Sequence, residues 1–143
     1  MHLNREIKAQ QIFMGRFARG SDLLDSLNNL CREKDIRLGR IEALGAVEKA
    51  RLQYYDQKNR AYQNIALDQP MEILNLHGNI SQKEGIPMVH AHLTLADGQG
   101  RAMGGHLAPG TTIFACEYIL EKFSGPEFSR EMDPATGLPL WTA

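Results

Sequence analysis

The chain has 143 residues, of which 43% are hydrophobic, and its 16 lysines and arginines stand against 17 aspartates and glutamates. This length suits one domain over residues 1–143, and this hydrophobic content excludes a disordered protein. The formal net charge of −1 argues against a strongly basic nucleic-acid-binding protein. The charge is uneven, however, because residues 1–60 carry 12 lysines and arginines against 8 acidic residues.

The sequence also indicates a compartment. No apolar run approaches the roughly 18 residues that a membrane helix requires, and the first residues lack the apolar core and cleavage site of a secretory signal. Cys31 and Cys116 belong to no CxxC pair, so each is expected to be a buried free thiol. These features predict a cytoplasmic protein without a membrane partner.

The first predicted elements are a strand over residues 8–19 and one principal helix over about residues 21–34. Ser21 is a suitable N-cap, and Asp22 places negative charge at the positive end of the helix dipole. Apolar residues then recur at helical spacing: Leu23, Leu24, Leu27, Leu30 and Cys31. This stripe predicts a helix that packs on a sheet by one face.

From residue 36 onward the apolar period changes to two, which predicts strands. They are expected at residues 40–47, 50–56, 61–66, 71–78 and 112–120. Gly45 is expected to mark a bulge or a close backbone contact. Together with the hairpin described next, these segments give about seven strands and one helix without regular alternation, which predicts an α+β fold with a mainly antiparallel sheet.

Three of the five histidines lie within residues 88–110. His90 and His92 are two residues apart, so both would project from one face of a strand. The chain then turns at residues 97–100 and returns along a second strand that carries His106. Three neutral imidazoles that converge with a fourth coordination position open would suit zinc or a similar divalent ion. The sequence therefore predicts a metal site at these three histidines.

This prediction depends on the register of the hairpin. Pairing of His92 with His106 centres the hairpin on Gln99 and requires a loop of three or five residues within 97–101. The glycines on both sides of Gln99 suit such a loop. A two-residue turn would instead place His106 opposite Ala91, on the far face of the sheet. We expect the odd loop, with all three imidazoles on one side.

Other readings of these residues remain open. The histidines have a structural alternative as half-buried strand residues hydrogen-bonded to backbone or carboxylates. His77 is a weaker ligand candidate because its strand is not obviously adjacent to the hairpin. Gly104 and Gly105 would let a ligand or another backbone approach closely, or would mark a bulge or a sheet crossing.

The end of the chain, about residues 125–143, is rich in proline and glycine but keeps Leu138, Leu140 and Trp141. A tail of this composition is expected to dock on the surface of the domain. The sequence as a whole contains no internal repeat and no low-complexity linker.

Six short segments form a recognisable series along the chain. They are Gly45-Ala46-Val47, Tyr54-Tyr55-Asp56, Met71–Leu74 with Gly78–Ser81, Val89–His92, Gly104–Leu107 and Thr136–Trp141. In this order they resemble the PPC (plants and prokaryotes conserved) domain family, and the resemblance covers the chain from about Gly15 to Trp141. It implies an α+β domain of the stand-alone prokaryotic type that assembles as a homotrimer.

The resemblance also implies partners. Plant members follow an AT-hook that binds the minor groove of DNA and act as nuclear regulators, and prokaryotic members are commonly labelled DNA-binding by similarity. These 143 residues contain no AT-hook. Plant domains carry a Gly-Arg-Phe-Glu-Ile-Leu hexapeptide that contacts other regulators; Glu72, Ile73 and Leu74 match its second half, whereas residues 69–71 depart from it. These three residues are therefore expected at a subunit or partner contact.

Two functions are expected. The first is a homotrimeric binding module with a DNA-binding or regulatory role and a zinc site at the histidines. The alternative is a metal-dependent enzyme or small-ligand-binding protein that uses His90, His92 and His106. An enzyme would also need a general base, for which Glu117 is the suggestion, and the sequence identifies no catalytic residue.

Overall fold

The computed structural model describes residues 2–142, so the two ends of the predicted domain, Met1 and Ala143, lie outside the described residues. The elements in chain order are β1 (Lys8–Phe17), α1 (Leu23–Glu33), β2 (Gly39–Asp56), β3 (Ala61–Leu67), β4 (Met71–Lys83), β5 (Ile86–Ala96), β6 (Ala102–Leu107), β7 (Thr112–Ser124), β8 (Ser129–Asp133) and β9 (Leu138–Thr142). The α+β class with a mainly antiparallel sheet is confirmed, but residues 2–142 form nine strands and not about seven.

Two differences explain the strand count. The predicted strands at 40–47 and 50–56 are one 18-residue strand, β2, which continues through an irregular middle. The predicted tail is not irregular, because residues 129–142 form the antiparallel hairpin β8–β9. Pro134 and Gly137 lie in the turn between the two short strands, and composition alone does not distinguish such a turn from a loop.

The N-cap of the helix lies one residue later than predicted. Asp22, not Ser21, is the N-cap, and its carboxylate accepts a hydrogen bond from the backbone N–H of Asp25 at 2.9 Å. The Ser21 hydroxyl donates instead to the carbonyl of Ala18. The predicted apolar face is buried, since Leu23, Leu27 and Cys31 all belong to the core.

Four strands close into a ring in which β2 pairs β4, β4 pairs β5, β5 pairs β6 and β6 pairs β2 again. The first half of β2 pairs β4 and β7, and its second half pairs β3 and β6. The change of partners follows the predicted irregularity at Gly45, where the β2–β4 register shifts between Ala43 and Gly45. Gly45 has φ 145°, and a Cβ built there would lie 2.1 Å from the Ala115 carbonyl oxygen, so a side chain has no room.

The core lies between α1 and the strands. Twelve of its large side chains are almost completely buried: Leu23, Leu27, Ile36, Ile41, Leu52, Leu76, Ile80, Leu93, Leu95, Leu107, Ile113 and Leu120. Cys31 and Cys116 are buried free thiols, as the sequence predicts. Burial raises the pKa of Cys31 to about 12 and that of Cys116 to about 11.

The β8–β9 hairpin packs beside β4. Ser129 pairs with Gln82 of β4, and the Phe128 and Trp141 rings pack 4.6 Å apart between centroids. Arg130 reaches from β8 to Ser81 and Asn79 of β4. Within residues 2–142 no helix has the length and apolarity to cross a membrane.

Candidate metal centre

The hairpin of β5 and β6 has the predicted register. His92 pairs with His106, and the strands end at the Ala96–Ala102 pair, which leaves a five-residue loop over 97–101. The Asp97 carboxylate holds this loop by accepting hydrogen bonds from the backbone N–H groups of Gln99 (2.9 Å) and Arg101 (3.0 Å). These backbone hydrogen bonds lower the pKa of Asp97, so its acceptor is ionised at neutral pH.

The three histidines converge on the outer face of this hairpin. One nitrogen from each of His90, His92 and His106 lies within 4.8 Å of the other two. The ring centroids are separated by 5.1 Å (90–92), 5.0 Å (90–106) and 5.6 Å (92–106). A zinc ion bound at its usual N–Zn distance holds its ligand nitrogens roughly 3.4 Å apart. Small rotations of the three imidazole rings would therefore bring the nitrogens to this spacing around an ion.

The protonation states of His90 and His106 favour metal binding. Burial lowers the pKa of His90 to about 4, and the charge of the adjacent Arg130 acts in the same direction. Burial also lowers the pKa of His106, followed by the effects of His92 and Arg130. Both rings are thus neutral at pH 7, with a nitrogen lone pair available to a metal ion.

A cavity of about 420 Å³ opens over the histidines. Its other walls come from β2, β3, β5, β6 and the C-terminal hairpin: Gln53, Tyr54, Tyr55, Tyr62, Met88, Gly105, Arg130, Leu138, Pro139 and Leu140. The Tyr62 ring lies 5.3 Å from the His106 ring between centroids. No aspartate or glutamate belongs to the walls that the described residues form.

Arg130 is the group in this cavity that sequence reasoning missed. Its guanidinium donates to Ser81 Oγ (2.9 Å), to Asn79 Oδ1 (2.8 Å) and to the Pro139 carbonyl (3.0 Å), and one nitrogen lies 3.5 Å from His90 Nδ1. Nothing in the sequence pattern links position 130 to position 90, because the contact depends on the docking of β8 beside β4.

His77 is adjacent to the site but is not part of it. It pairs with His92 across β4 and β5, an adjacency that the sequence did not make obvious. Its ring is exposed, and its Nδ1 lies 3.8 Å from the Glu42 carboxylate. Among the described residues, the group of nitrogens close enough to share a metal ion comes from His90, His92 and His106 and does not include His77.

The glycines beside the site serve the sheet itself. A Cβ at Gly104 would lie 2.3 Å from the Leu93 carbonyl oxygen, and one at Gly105 would lie 2.9 Å from the Gln53 carbonyl oxygen. Both glycines therefore admit the backbone of a neighbouring strand. Gly105 also borders the cavity.

The remaining predicted site residues lie elsewhere. Glu117 lines a separate cleft beside Met14 and Tyr118 and does not border the histidine cavity. Ile73 is in the core, so the contact expected of it is not available on the surface of this chain, whereas Glu72 and Leu74 are exposed.

Comparison with known proteins identifies close similarity across the chain. The family model described as the Plants and Prokaryotes Conserved (PCC) domain matches residues 4–124. The bifunctional proteins GlmU of two Synechococcus strains are each 36% identical to this chain over 129 residues, which is 89% of the chain. The chain spans about a fifth of the length of these curated relatives.

Solved structures share the fold. The metal-containing protein AF0104 of Archaeoglobus fulgidus is 37% identical, with a TM-score of 0.94 over 99% of this chain and 100% of that chain. A plant- and prokaryote-conserved (PPC) protein of Pyrococcus horikoshii is 28% identical, with a TM-score of 0.93 over 99% of this chain and 98% of that chain. A protein of Bacteroides thetaiotaomicron described as a candidate DNA-binding protein is also 28% identical, with a TM-score of 0.86 over 95% and 96% of the two chains.

Proposed function

Because the chain belongs to the Plants and Prokaryotes Conserved (PCC) domain family, we propose that it is a metal-binding module that holds a zinc ion on His90, His92 and His106. The observation that carries this proposal is the convergence of three imidazole nitrogens within 4.8 Å on one rigid hairpin. Three nitrogen ligands with an open fourth position suit zinc. A 37% identical relative from Archaeoglobus fulgidus is described as a metal-containing protein, which supports metal binding by this fold.

Binding is better supported than catalysis. A zinc ion with an open position polarises a bound oxygen or lowers the pKa of bound water. Hydrolytic use of that water would also require a base, and no carboxylate lines the cavity among residues 2–142. Glu117 cannot serve from its separate cleft. We therefore place the enzyme alternative second to metal and ligand binding.

The test measures the metal content of protein prepared without added metal and without a polyhistidine tag. We expect wild type to retain about one zinc ion per chain, and His92→Ala to lose it while keeping the wild-type circular dichroism spectrum. His77→Ala is the matched control, because His77 is the cross-strand neighbour of His92 outside the ligand group. Equal metal content in His92→Ala and wild type would contradict the proposal, as would wild-type protein that takes up no zinc when zinc is supplied.

We also propose that the chain assembles as a homotrimer through the outer face of the sheet. Ile12, Met14 and Leu44 are exposed by 65%, 78% and 59%, and Leu74 and Ile119 are also exposed on described strands. Met14 pairs with Ile119, and Ile119 pairs with Glu42, so these side chains share one face across β1, β7 and β2. An exposed apolar face of this kind is typical of an interface.

Light scattering tests the assembly. Met14→Glu is expected to shift the mass towards the monomer because it places a charge within the apolar face. Ile86→Glu is the control, since Ile86 is exposed by 54% but lies at the β4–β5 turn. Wild-type protein with the mass of one chain at micromolar concentration would contradict the homotrimer, and Glu72 and Leu74 would then have no role as subunit contacts.

DNA association is a second candidate, favoured by the Bacteroides relative and by the surplus of basic residues in residues 1–60. A net charge of −1 supplies little counterion release overall, so binding should be weak and salt-dependent. Titration with duplex DNA at low and moderate salt tests it. Absence of binding at low salt would exclude this role for the domain.

The buried thiols fit a reducing compartment, and we therefore propose that the protein is cytoplasmic.

A further inference from the structure

Arg130 carries a buried positive charge that the described residues do not neutralise. The residue is 9% exposed, and no carboxylate of residues 2–142 forms an ion pair with it. Its hydrogen-bond acceptors are a hydroxyl, an amide oxygen and a backbone carbonyl, all uncharged. A buried cation is costly without a partner anion, so this position calls for a negative charge.

The described residues place no negative group in the walls of the cavity beside Arg130. Its polar lining consists of three imidazoles, tyrosines and one glutamine. A divalent ion on three neutral imidazoles would add two further positive charges to the same space. Two cationic centres would then face one cavity of about 420 Å³ whose described walls contain no aspartate or glutamate.

The rest of the wall is apolar or aromatic. Leu138, Pro139 and Leu140 border the cavity from β9, and Tyr62 borders it from β3. A ligand that places a charged end at the histidines would therefore meet an apolar surface along its other end.

From these observations we propose that the cavity binds a small organic anion, a carboxylate or phosphate attached to an apolar group, between the metal and Arg130. The proposal rests on the proposed metal site. One anionic oxygen takes the open coordination position, and the charge is balanced by the guanidinium. Of the five N–H groups of Arg130, the described residues accept three in hydrogen bonds and a fourth faces His90 Nδ1, which leaves one without a partner.

The experiment measures the affinity of zinc-loaded protein for four probes by calorimetry. Benzoate and phenyl phosphate carry the two anionic groups on the same apolar ring, benzyl alcohol is their uncharged counterpart, and acetate lacks the ring. We expect one or both aromatic anions to bind at least tenfold more tightly than benzyl alcohol and than acetate. The comparison of benzoate with phenyl phosphate identifies which anionic group the site prefers.

Arg130→Gln removes the charge and keeps hydrogen-bond donors. We expect it to retain zinc and to bind the preferred anion at least tenfold more weakly, a loss of about 1.4 kcal/mol. Arg51→Gln is the control, since Arg51 is a partly buried arginine outside the cavity. Arg130→Lys, which keeps the charge, should recover part of the affinity and serves if Arg130→Gln does not fold.

The outcomes separate the two proposals. Wild-type protein that takes up no zinc overturns the proposed metal site, whatever the probes do. Zinc-loaded wild type that binds neither aromatic anion at millimolar concentration, or that binds benzyl alcohol equally well, overturns the anion site and leaves the metal site standing. Unchanged anion affinity in Arg130→Gln would show that Arg130 only ties the C-terminal hairpin to β4.

Discussion

Gly104→Ala should destabilise the protein, because the sheet leaves no space for a methyl group at this position. Gly104 pairs with Thr94 of β5, and a Cβ built on it would lie 2.3 Å from the Leu93 carbonyl oxygen. Ordinary contacts between these atoms begin above 3 Å, so β6 must move away from β5 by roughly 1 Å. Overpacking of this kind costs about 1–3 kcal/mol.

The expected net effect is smaller than this cost. Alanine lowers the conformational entropy of the unfolded chain relative to glycine, which contributes about 0.4–1 kcal/mol in the opposite direction. A loss of about 1–2 kcal/mol in the free energy of unfolding remains. For a chain of this size it corresponds to a fall in Tm of roughly 3–8 °C.

Urea unfolding of metal-free protein is the appropriate assay, because bound metal would add its own linkage to stability. Gly98→Ala is the matched control in the same hairpin. A Cβ at Gly98 meets no atom within 4 Å, and its φ is not in the left-handed region, so we expect a change within about 0.5 kcal/mol. If Gly104→Ala and wild type had the same midpoint of urea unfolding, the inference that β5 and β6 leave no space for a side chain at position 104 would be wrong.

Three further predictions concern the helix, the thiols and the histidines. Asp22→Ala should cost about 1 kcal/mol in the free energy of unfolding because it removes the N-cap, whereas Ser21→Ala should cost less; equal losses in urea unfolding would contradict the capping assignment. Cys31 and Cys116 should resist a thiol-specific reagent at pH 8 until the protein is unfolded, since burial raises both pKa values; rapid labelling of native protein would refute this. Metal-free protein should lose stability as the pH falls from about 6.5 towards 4, because the unfolded His90 ring takes up its proton at the higher pH and the folded ring only near 4. His90→Gln should show a smaller loss over this range in urea unfolding, and an equal loss would show that other groups are responsible.

The histidine site could be predicted because its geometry is set locally. A hairpin fixes which residues face each other once its loop length is known, and the glycines around Gln99 indicated an odd loop. The pairing of His92 with His106 and the five-residue loop confirm that reasoning. The buried face of α1 was predictable for the same reason, since helical spacing alone places Leu23 and Leu27 together.

Contacts between distant segments were not predictable. The adjacency of His77 and His92 depends on the order of strands in the sheet, which periodicity within one strand does not encode. The approach of Arg130 to His90 depends on where a hairpin 40 residues further along the chain docks. The N-cap was misassigned for a smaller reason, because Ser21 and Asp22 are both good capping residues and adjacent positions compete.

The two halves of the proposed site are therefore held by different means. The three histidines lie on strands of a closed ring. Backbone hydrogen bonds join β5 to β4 on one side and to β6 on the other, and β6 is in turn paired with β2, so the positions of the histidines are fixed. Arg130 lies on a short hairpin that joins the sheet through the single Gln82–Ser129 pair and through side chains. The family match ends at residue 124, before this hairpin begins. A change in the hairpin would alter which ligand reaches the proposed metal site without disturbing the ring that positions the imidazoles, whereas a change in the ring would affect both.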